Sequence, residues 1–100
     1  MALIYHITTS NQWAEAQKKG HYESLNLKEE GFIHCSMEDQ VDDIRERFYQ
    51  GVSDLVLLKI DTEKLTSQLI YEWSPSVQNT FPHVYGPINL DAVTEAAPLN

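Results

Sequence analysis

One apolar run, residues 54–60, constrains the fold of this chain more than any other segment. Its sequence, Asp-Leu-Val-Leu-Leu-Lys-Ile, has the length of a strand and lacks alternation between apolar and polar positions. Such a run is typical of a central strand that is covered on both faces. The chain has 100 residues, of which 42% are hydrophobic, enough for one core but not for two. We therefore predict a single domain, residues 1–100, built around this strand.

Two strand-and-helix pairs are predicted before the central strand. Residues 3–8 alternate with a period of two, which indicates the first strand. A helix should follow, because Thr9 and Gln12 form a capping-box pattern and Gly20 is placed to end it. Trp13 and Ala16 should face the core.

The second pair begins with a strand at residues 31–36. Ser36 should cap the following helix, and Gly51 should end it. This helix should have an apolar face, because apolar residues recur at helical spacing. They are Met37, Val41, Ile44 and Phe48.

The second half of the chain is crowded with strands. Residues 61–65 indicate a turn or short helical turn, residues 69–73 a strand, and residues 74–76 a break. Residues 81–87 contain prolines near both ends, which indicates a strand edge or loop, and residues 88–96 indicate the last strand. This order predicts an α+β fold with two helices and a mainly antiparallel sheet, either single or split in two.

Charge and composition restrict the class of partner. Seven Lys and Arg stand against fifteen Asp and Glu, which gives a formal charge of −8. This charge repels phosphate backbones and anionic membranes, so we expect neither extended nucleic acid nor a membrane as partner. No secretory pattern and no apolar run of spanning length are visible. The single cysteine fits a reducing compartment, and we expect a soluble, cytoplasmic protein.

Two histidines lie in matching settings. His6 and His34 each occupy the middle of a predicted strand, and each shares a face with a hydroxyl two residues later, on Thr8 and Ser36. Alternate side chains of a strand are about 7 Å apart, near enough to engage one ligand together. We interpret His6, Thr8 and Ser36 as ligand-binding residues and His34 as a candidate catalytic residue.

A third histidine, His83, lies within the proline-bounded segment. Gly86 permits a turn and a close backbone approach, so Tyr85 and Gly86 are predicted to bind ligand and His83 to be catalytic. Glu72 is the third catalytic candidate, because aromatic neighbours on both sides could raise its pKa and suit it for acid–base work.

Other chemistry is less well supported by the pattern. Three histidines can ligate zinc with an open fourth position, but no diagnostic spacing occurs, and no residue is assigned as a metal ligand. Cys35 should point into the core, where a thiol is inert. His21 follows Gly20 and is interpreted as a surface or capping residue.

Four motifs, in order, resemble a bacterial family catalogued as domain of unknown function 952. The resemblance covers nearly the whole chain and implies a small α+β fold. The motifs are Tyr5-His6-Ile7-Thr8, Gly31-Phe32-Ile33-His34-Cys35-Ser36, Asp54-Leu55-Val56-Leu57-Leu58 and Phe81-Pro82-His83-Val84-Tyr85-Gly86-Pro87-Ile88.

The first motif is also similar to the Tyr-His-Gly-Thr or His-Gly-Ser first-strand motif of ADP-ribosyltransferases. This resemblance implies that His6 binds a ribose hydroxyl of NAD and that Thr8 supports the site. His34 with Ser36 would take the second-strand position. Ile7 replaces the motif's glycine, a departure that crowds the nicotinamide.

The third position of that motif set is a glutamate in many ADP-ribosyltransferases, and His83 or Glu72 would stand near it here. The resemblance implies an NAD-using transferase with an ADP-ribosyltransferase-like fold, or chemistry like that of the histidine-rich RNA 2′-phosphotransferases. Two alternatives stay open: a noncatalytic module that senses a nucleotide or another small ligand, and a zinc-dependent hydrolase that uses the three histidines.

Overall fold

The structure, a computed structural model, describes residues 2–99. Its eight strands are β1 (Leu3–Thr9), β2 (His21–Tyr22), β3 (Ile33–His34), β4 (Leu55–Asp61), β5 (Gln68–Ser74), β6 (Asn79–Tyr85), β7 (Ile88–Asn89) and β8 (Val93–Pro98). Its three α-helices are α1 (Ser10–Lys19), α2 (Leu27–Glu30) and α3 (Val41–Phe48), and short 3-10 turns cover Glu38–Gln40, Thr62–Lys64 and Leu90–Ala92.

The strands form three small antiparallel sheets. Their orders are β1-β4-β8, β2-β7 and β3-β6-β5. β4 lies between β1 and β8, as its continuous apolar sequence predicts, and the α+β class with a split antiparallel sheet is confirmed. None of the helices within residues 2–99 combines the length and apolar character needed to cross a bilayer.

Local sequence signals place α1 correctly. The Thr9 side chain accepts a hydrogen bond from the Gln12 backbone N–H at 3.2 Å, and Gly20 ends the helix in the left-handed conformation at φ 92°. Ala16 is buried and Trp13 packs against the same core cluster. This helix covers one face of the molecule through the residues that its pattern indicated.

The second helix differs at both ends from its prediction. Ser36 does not cap it; Met37 precedes the 3-10 turn, and the Gln40 side chain accepts the Met37 N–H instead. The backbone of Ser36 pairs with Tyr5 of β1, so Ser36 continues the extended segment and Met37 takes the N-cap position. The helix ends at Phe48, with Tyr49 as its C-cap, before it reaches Gly51.

β6 is a central strand, although the prolines of residues 81–87 indicated an edge or a loop. It pairs with β5 on one side and β3 on the other. The Cys35 N–H donates to the Pro82 carbonyl at 3.0 Å, so the reciprocal bond would need an N–H that proline lacks. Pro82 lacks the N–H donor at the position where β3 has already ended at His34. The proline is therefore tolerated in a central strand, because β3 is too short to require that hydrogen bond.

The chain leaves β6 at that point and reaches β1. Tyr5 and Ser36 exchange two backbone hydrogen bonds, of 2.8 and 2.7 Å. The segment that begins in one sheet therefore ends against another, and this transfer brings His34 beside His6. The predicted strand 31–36 is thus shorter than expected, and Ser36 beyond its end pairs with β1.

Two further segments depart from prediction. Residues 88–96 are two strands, β7 and β8, separated by a 3-10 turn, because β7 pairs with β2 and β8 pairs with β4. The region between α1 and β3 contains β2 and the short helix α2, so the structure has three α-helices where two were expected.

Candidate functional site

His6 lies in the interior with both ring nitrogens engaged. It is 6% exposed, Nδ1 lies 2.6 Å from the His34 carbonyl oxygen, and Nε2 lies 2.7 Å from the Tyr22 hydroxyl. A carbonyl can only accept, so Nδ1 carries the proton that is donated to His34. Burial lowers the pKa of His6 to about 4, which leaves the ring neutral and Nε2 as the acceptor for Tyr22.

The Tyr22 hydroxyl extends this buried contact toward α1. It lies 2.9 Å from Thr8 Oγ1, and Thr8 in turn hydrogen-bonds the side chain of Gln12 at 3.0 Å. Tyr22 is 1% exposed and burial raises its pKa, so the phenol stays protonated. His6, Tyr22, Thr8 and Gln12 form one continuous polar chain, which we call the His6 chain.

His34 and His83 are direct cross-strand partners on β3 and β6. Their ring centroids are 5.2 Å apart, and Phe32 stacks on His83 with a centroid separation of 4.1 Å. The His34 side chain is 55% exposed, whereas that of His83 is 10% exposed. The structure therefore brings together two of the predicted residues and gives them different access to solvent.

A carboxylate holds each of these imidazoles. Glu72 accepts from His83 Nδ1 at 2.7 Å and also from the Tyr85 hydroxyl. Because a carboxylate accepts, His83 Nδ1 carries the proton and Nε2 remains available as a base. His34 Nε2 lies 3.0 Å from Oε2 of Glu30, the last residue of α2.

The environment of Glu72 acts in the direction opposite to our prediction. Hydrogen bonds from Tyr85 and then from His83 lower the pKa of this carboxyl, and the contact with Glu72 raises the pKa of Tyr85. The flanking aromatic residues on β5 do not raise it, because side chains alternate across a strand and both neighbours point to the other face. Glu72 is thus an ionised partner of His83 and not a protonated acid.

Two cavities adjoin these residues, and His34 lines both. The larger has a volume of about 650 Å³ and the smaller about 220 Å³, and they share Ile7, Asn26, His34 and Tyr49 in their walls. The larger is lined by aromatic rings and by His83; the smaller is lined by all four members of the His6 chain and by Thr9 and Ser24. The volume of the larger cavity alone suits a ligand of drug dimensions.

The other predicted residues lie at different distances from the cleft. Ser36 is buried and lines the larger cavity. Tyr85 contacts Glu72 behind His83, and neither Tyr85 nor Gly86 is among the described residues that line the two cavities. Gly86 instead forms a turn at φ 146°, where an added Cβ would lie 2.6 Å from Ser67 Oγ.

Cys35 and His21 lie where the sequence analysis expected them. Cys35 is 2% exposed within the core, and burial raises the pKa of its thiol. His21 is partly exposed and contacts Glu23 at 2.7 Å.

No group of three or more His, Cys, Asp or Glu side chains within residues 2–99 is arranged to hold a metal ion. The zinc-hydrolase alternative requires all three histidines on one ion, whereas both nitrogens of His6 are used by His34 and Tyr22. The geometry does not support that alternative.

Sequence reasoning missed many residues of the cleft, among them Phe32, Glu30, Tyr22 and Asn26. Phe32 shares a face with His34, a signal that could be read from the sequence, whereas Glu30 lies at the end of α2 and meets His34 only because the chain turns at Gly31. Tyr22 and Asn26 carried none, because the strand β2 exists only through its pairing with β7 far along the chain.

Fold and site together define an α+β protein with a split antiparallel sheet and a cleft lined by histidines where the sheets meet. The chain belongs to the family described as a protein of unknown function (DUF952), whose model matches residues 7–96.

Solved structures of the protein CC0527 from Caulobacter crescentus are similar throughout. A crystal structure is 34% identical with a TM-score of 0.89 and covers 99% of this chain and 87% of that one. The solution NMR structure is 35% identical with a TM-score of 0.84, over 100% of this chain and 86% of that one. A comparison with curated proteins gives no match.

Proposed function

We propose that this protein binds NAD or a related nucleotide across the two neighbouring cavities, with His34 between the two parts of the ligand. The observation that carries the proposal is the position of His34. This residue lines both cavities, and its carbonyl oxygen accepts a hydrogen bond from the His6 ring. A ligand that occupies both cavities would pass this imidazole.

The two cavities offer different chemistry to a bipartite ligand. The larger presents aromatic side chains, including Phe32 and Trp73, that suit a planar ring. The smaller presents hydroxyl and amide groups that suit a sugar or a carboxamide. His6 would act indirectly in this arrangement, since both its nitrogens are engaged and Tyr22 or Thr8 would face the ligand.

The His83–Glu72 pair suits proton transfer at such a ligand. Glu72 accepts the Nδ1 proton and so orients the imidazole, which leaves Nε2 to take a proton. In an ADP-ribosyltransferase-like reaction, an acceptor hydroxyl would attack the ribose C1 carbon as the bond to nicotinamide breaks. The bonding electrons would leave with nicotinamide, and the hydroxyl proton would pass to His83.

The proposal is tested by solution NMR of the histidine side chains. Titration with NAD and with ADP-ribose should shift the ring resonances of His34 and His83 and also those of His6. The His21 resonances serve as an internal control, because His21 lies outside both cavities. Saturating ligand without any shift at His6 or His34 would contradict the proposal.

A noncatalytic ligand-sensing module is the second candidate. It is favoured by the internal engagement of His6 and by Ile7, which lines both cavities. If bound NAD is not consumed in the presence of hydroxyl acceptors, and His83→Ala weakens binding alone, the protein is a binding module. Turnover that is lost in His83→Ala, with binding retained, identifies an enzyme. Cytoplasmic location remains an expectation based on the single cysteine.

A further inference from the structure

The lining of the two cavities has an unusual charge for a site that would hold a nucleotide. Among the described residues, Glu30 is the only formally charged lining residue other than histidine, and no Lys or Arg contributes to either wall. Proteins that grip phosphates usually supply Arg, Lys or a backbone anion site. This cleft supplies a carboxylate.

Two further features give the larger cavity a negative character. Phe48 and Trp73 line it while 62% and 61% exposed, so their rings are accessible to a ligand. The faces of aromatic rings are electron-rich and attract a cation. Glu72 is held behind His83 at 2.7 Å and adds a second carboxylate close to the wall.

We infer that the cleft selects the cationic nicotinamide riboside portion of its ligand, and that phosphate groups oppose binding. This inference rests on the proposed function: the riboside portion is the part of the nucleotide that the cleft recognises, and the phosphates of the mononucleotide and NAD weaken binding without preventing it. The nicotinamide ring carries the positive charge in the oxidised compound, whereas the mononucleotide and NAD also carry phosphates. The overall charge of −8 acts in the same direction on the approaching ligand.

Four compounds separate charge from shape: nicotinamide riboside, its reduced neutral form, the mononucleotide and NAD. Binding is measured by calorimetry at low and physiological salt. The riboside should bind at least about threefold more tightly than each of the others, which is the size expected for one partly screened charge contact. Added salt should reduce this preference.

A pair of variants tests the role of the lining carboxylate. Glu30→Gln should weaken binding of the riboside about threefold and strengthen binding of the mononucleotide and NAD. Glu29→Gln is the matched control, because Glu29 lies beside it on α2, changes the net charge equally and is not among the lining residues. It should leave the order of affinities unchanged.

The outcomes distinguish this inference from the proposal beneath it. If NAD binds more tightly than the riboside, and Glu30→Gln and Glu29→Gln behave alike, the charge selectivity is overturned while nucleotide binding stands. If none of the four compounds binds, the proposed function fails and the inference fails with it. Preference for the riboside that Glu30→Gln alone diminishes supports both.

Discussion

At the scale of single residues, the arrangement around His6 follows from the cost of burying polar groups. A buried hydrogen-bonding atom without a partner costs about 1–3 kcal/mol, and each nitrogen of His6 has one partner, the His34 carbonyl and the Tyr22 hydroxyl. The pairing fixes the tautomer and holds the His34 backbone. The same contacts explain why a histidine can lie in a strand whose neighbours are core residues.

Tyr22→Phe should destabilise the fold by about 1–3 kcal/mol, because it leaves Nε2 of a buried imidazole without a donor. Chemical denaturation measures the change in the free energy of unfolding. Tyr71→Phe removes the same hydroxyl from an exposed tyrosine and should have little effect. Equal stability of the two variants would show that the His6 chain contributes nothing.

The pH dependence of stability should also depend on His6. Its pKa is about 4 in the folded chain, against 6.5 for an unperturbed histidine, so between these values the unfolded chain binds the proton and the folded chain does not. The contribution is complete above pH 6.5 and falls by about 3 kcal/mol as the pH drops towards 4. Denaturation of the wild type across this range measures the loss.

His6→Asn isolates this contribution, since an amide can still donate to the His34 carbonyl but does not titrate. The variant should lose less stability than the wild type between pH 6.5 and 4. Carboxylates whose pKa is lowered in the fold, such as Glu72, also contribute less stability as the pH falls. This loss is the same in both proteins. Parallel curves for the two proteins would contradict the assignment.

At the scale of elements, the sequence predicts those features that depend on neighbouring residues. The start and end of α1 come from Thr9, Gln12 and Gly20, which lie in the helix or directly beside it, and β4 is recognisable from its own composition. The short strand β2 depends on β7, and the pairing of Ser36 depends on Tyr5, both far away along the chain. Periodicity within a segment contains no information about them.

The site shows the same division. His6 and His34 were singled out by a repeated strand pattern and His83 by its proline-bounded segment, but the engagement of His6 by Tyr22 and of Glu72 by Tyr85 could not be predicted. Both contacts join residues more than ten positions apart. The direction of the Glu72 pKa shift was wrong for this reason, since it is set by hydrogen bonds and not by the residues beside it.

The central position of β6 leads to a prediction about Pro82. Pro82→Ala restores an N–H that faces Cys35 in the register of the two strands, so the new amide at position 82 should exchange slowly with deuterium. Pro87→Ala is the control, because position 87 is an exposed turn residue whose amide should exchange quickly. Equally fast exchange at both positions would show that the missing donor does not end β3.

At the scale of the whole molecule, the cleft exists because the sheets are separate. The segment that follows β3 pairs first with β6 and then with β1, through Tyr5 and Ser36. This transfer places side chains from two sheets around one space. A single continuous sheet would align His6 and His83 along a surface and leave no cavity between them.

Net charge is the remaining property that belongs to the molecule as a whole, and it predicts a response to salt. The protein extends 34 × 29 × 29 Å and carries a formal charge of −8. The Debye length is about 30 Å at 0.01 M salt and about 8 Å at 0.15 M, so only the lower concentration lets charges repel across the whole molecule. Sodium chloride should therefore raise the thermal midpoint over this range, which calorimetry measures.

Screening also weakens attractive pairs such as Lys59–Glu95, but fifteen acids against seven bases make repulsion the larger effect. Glu29→Gln reduces the charge by one, and because self-repulsion grows with the square of the charge, its salt response should be roughly a quarter smaller. A midpoint that stays constant or falls as salt is added would mean that local ion pairs, and not net charge, determine the electrostatic stability of this fold.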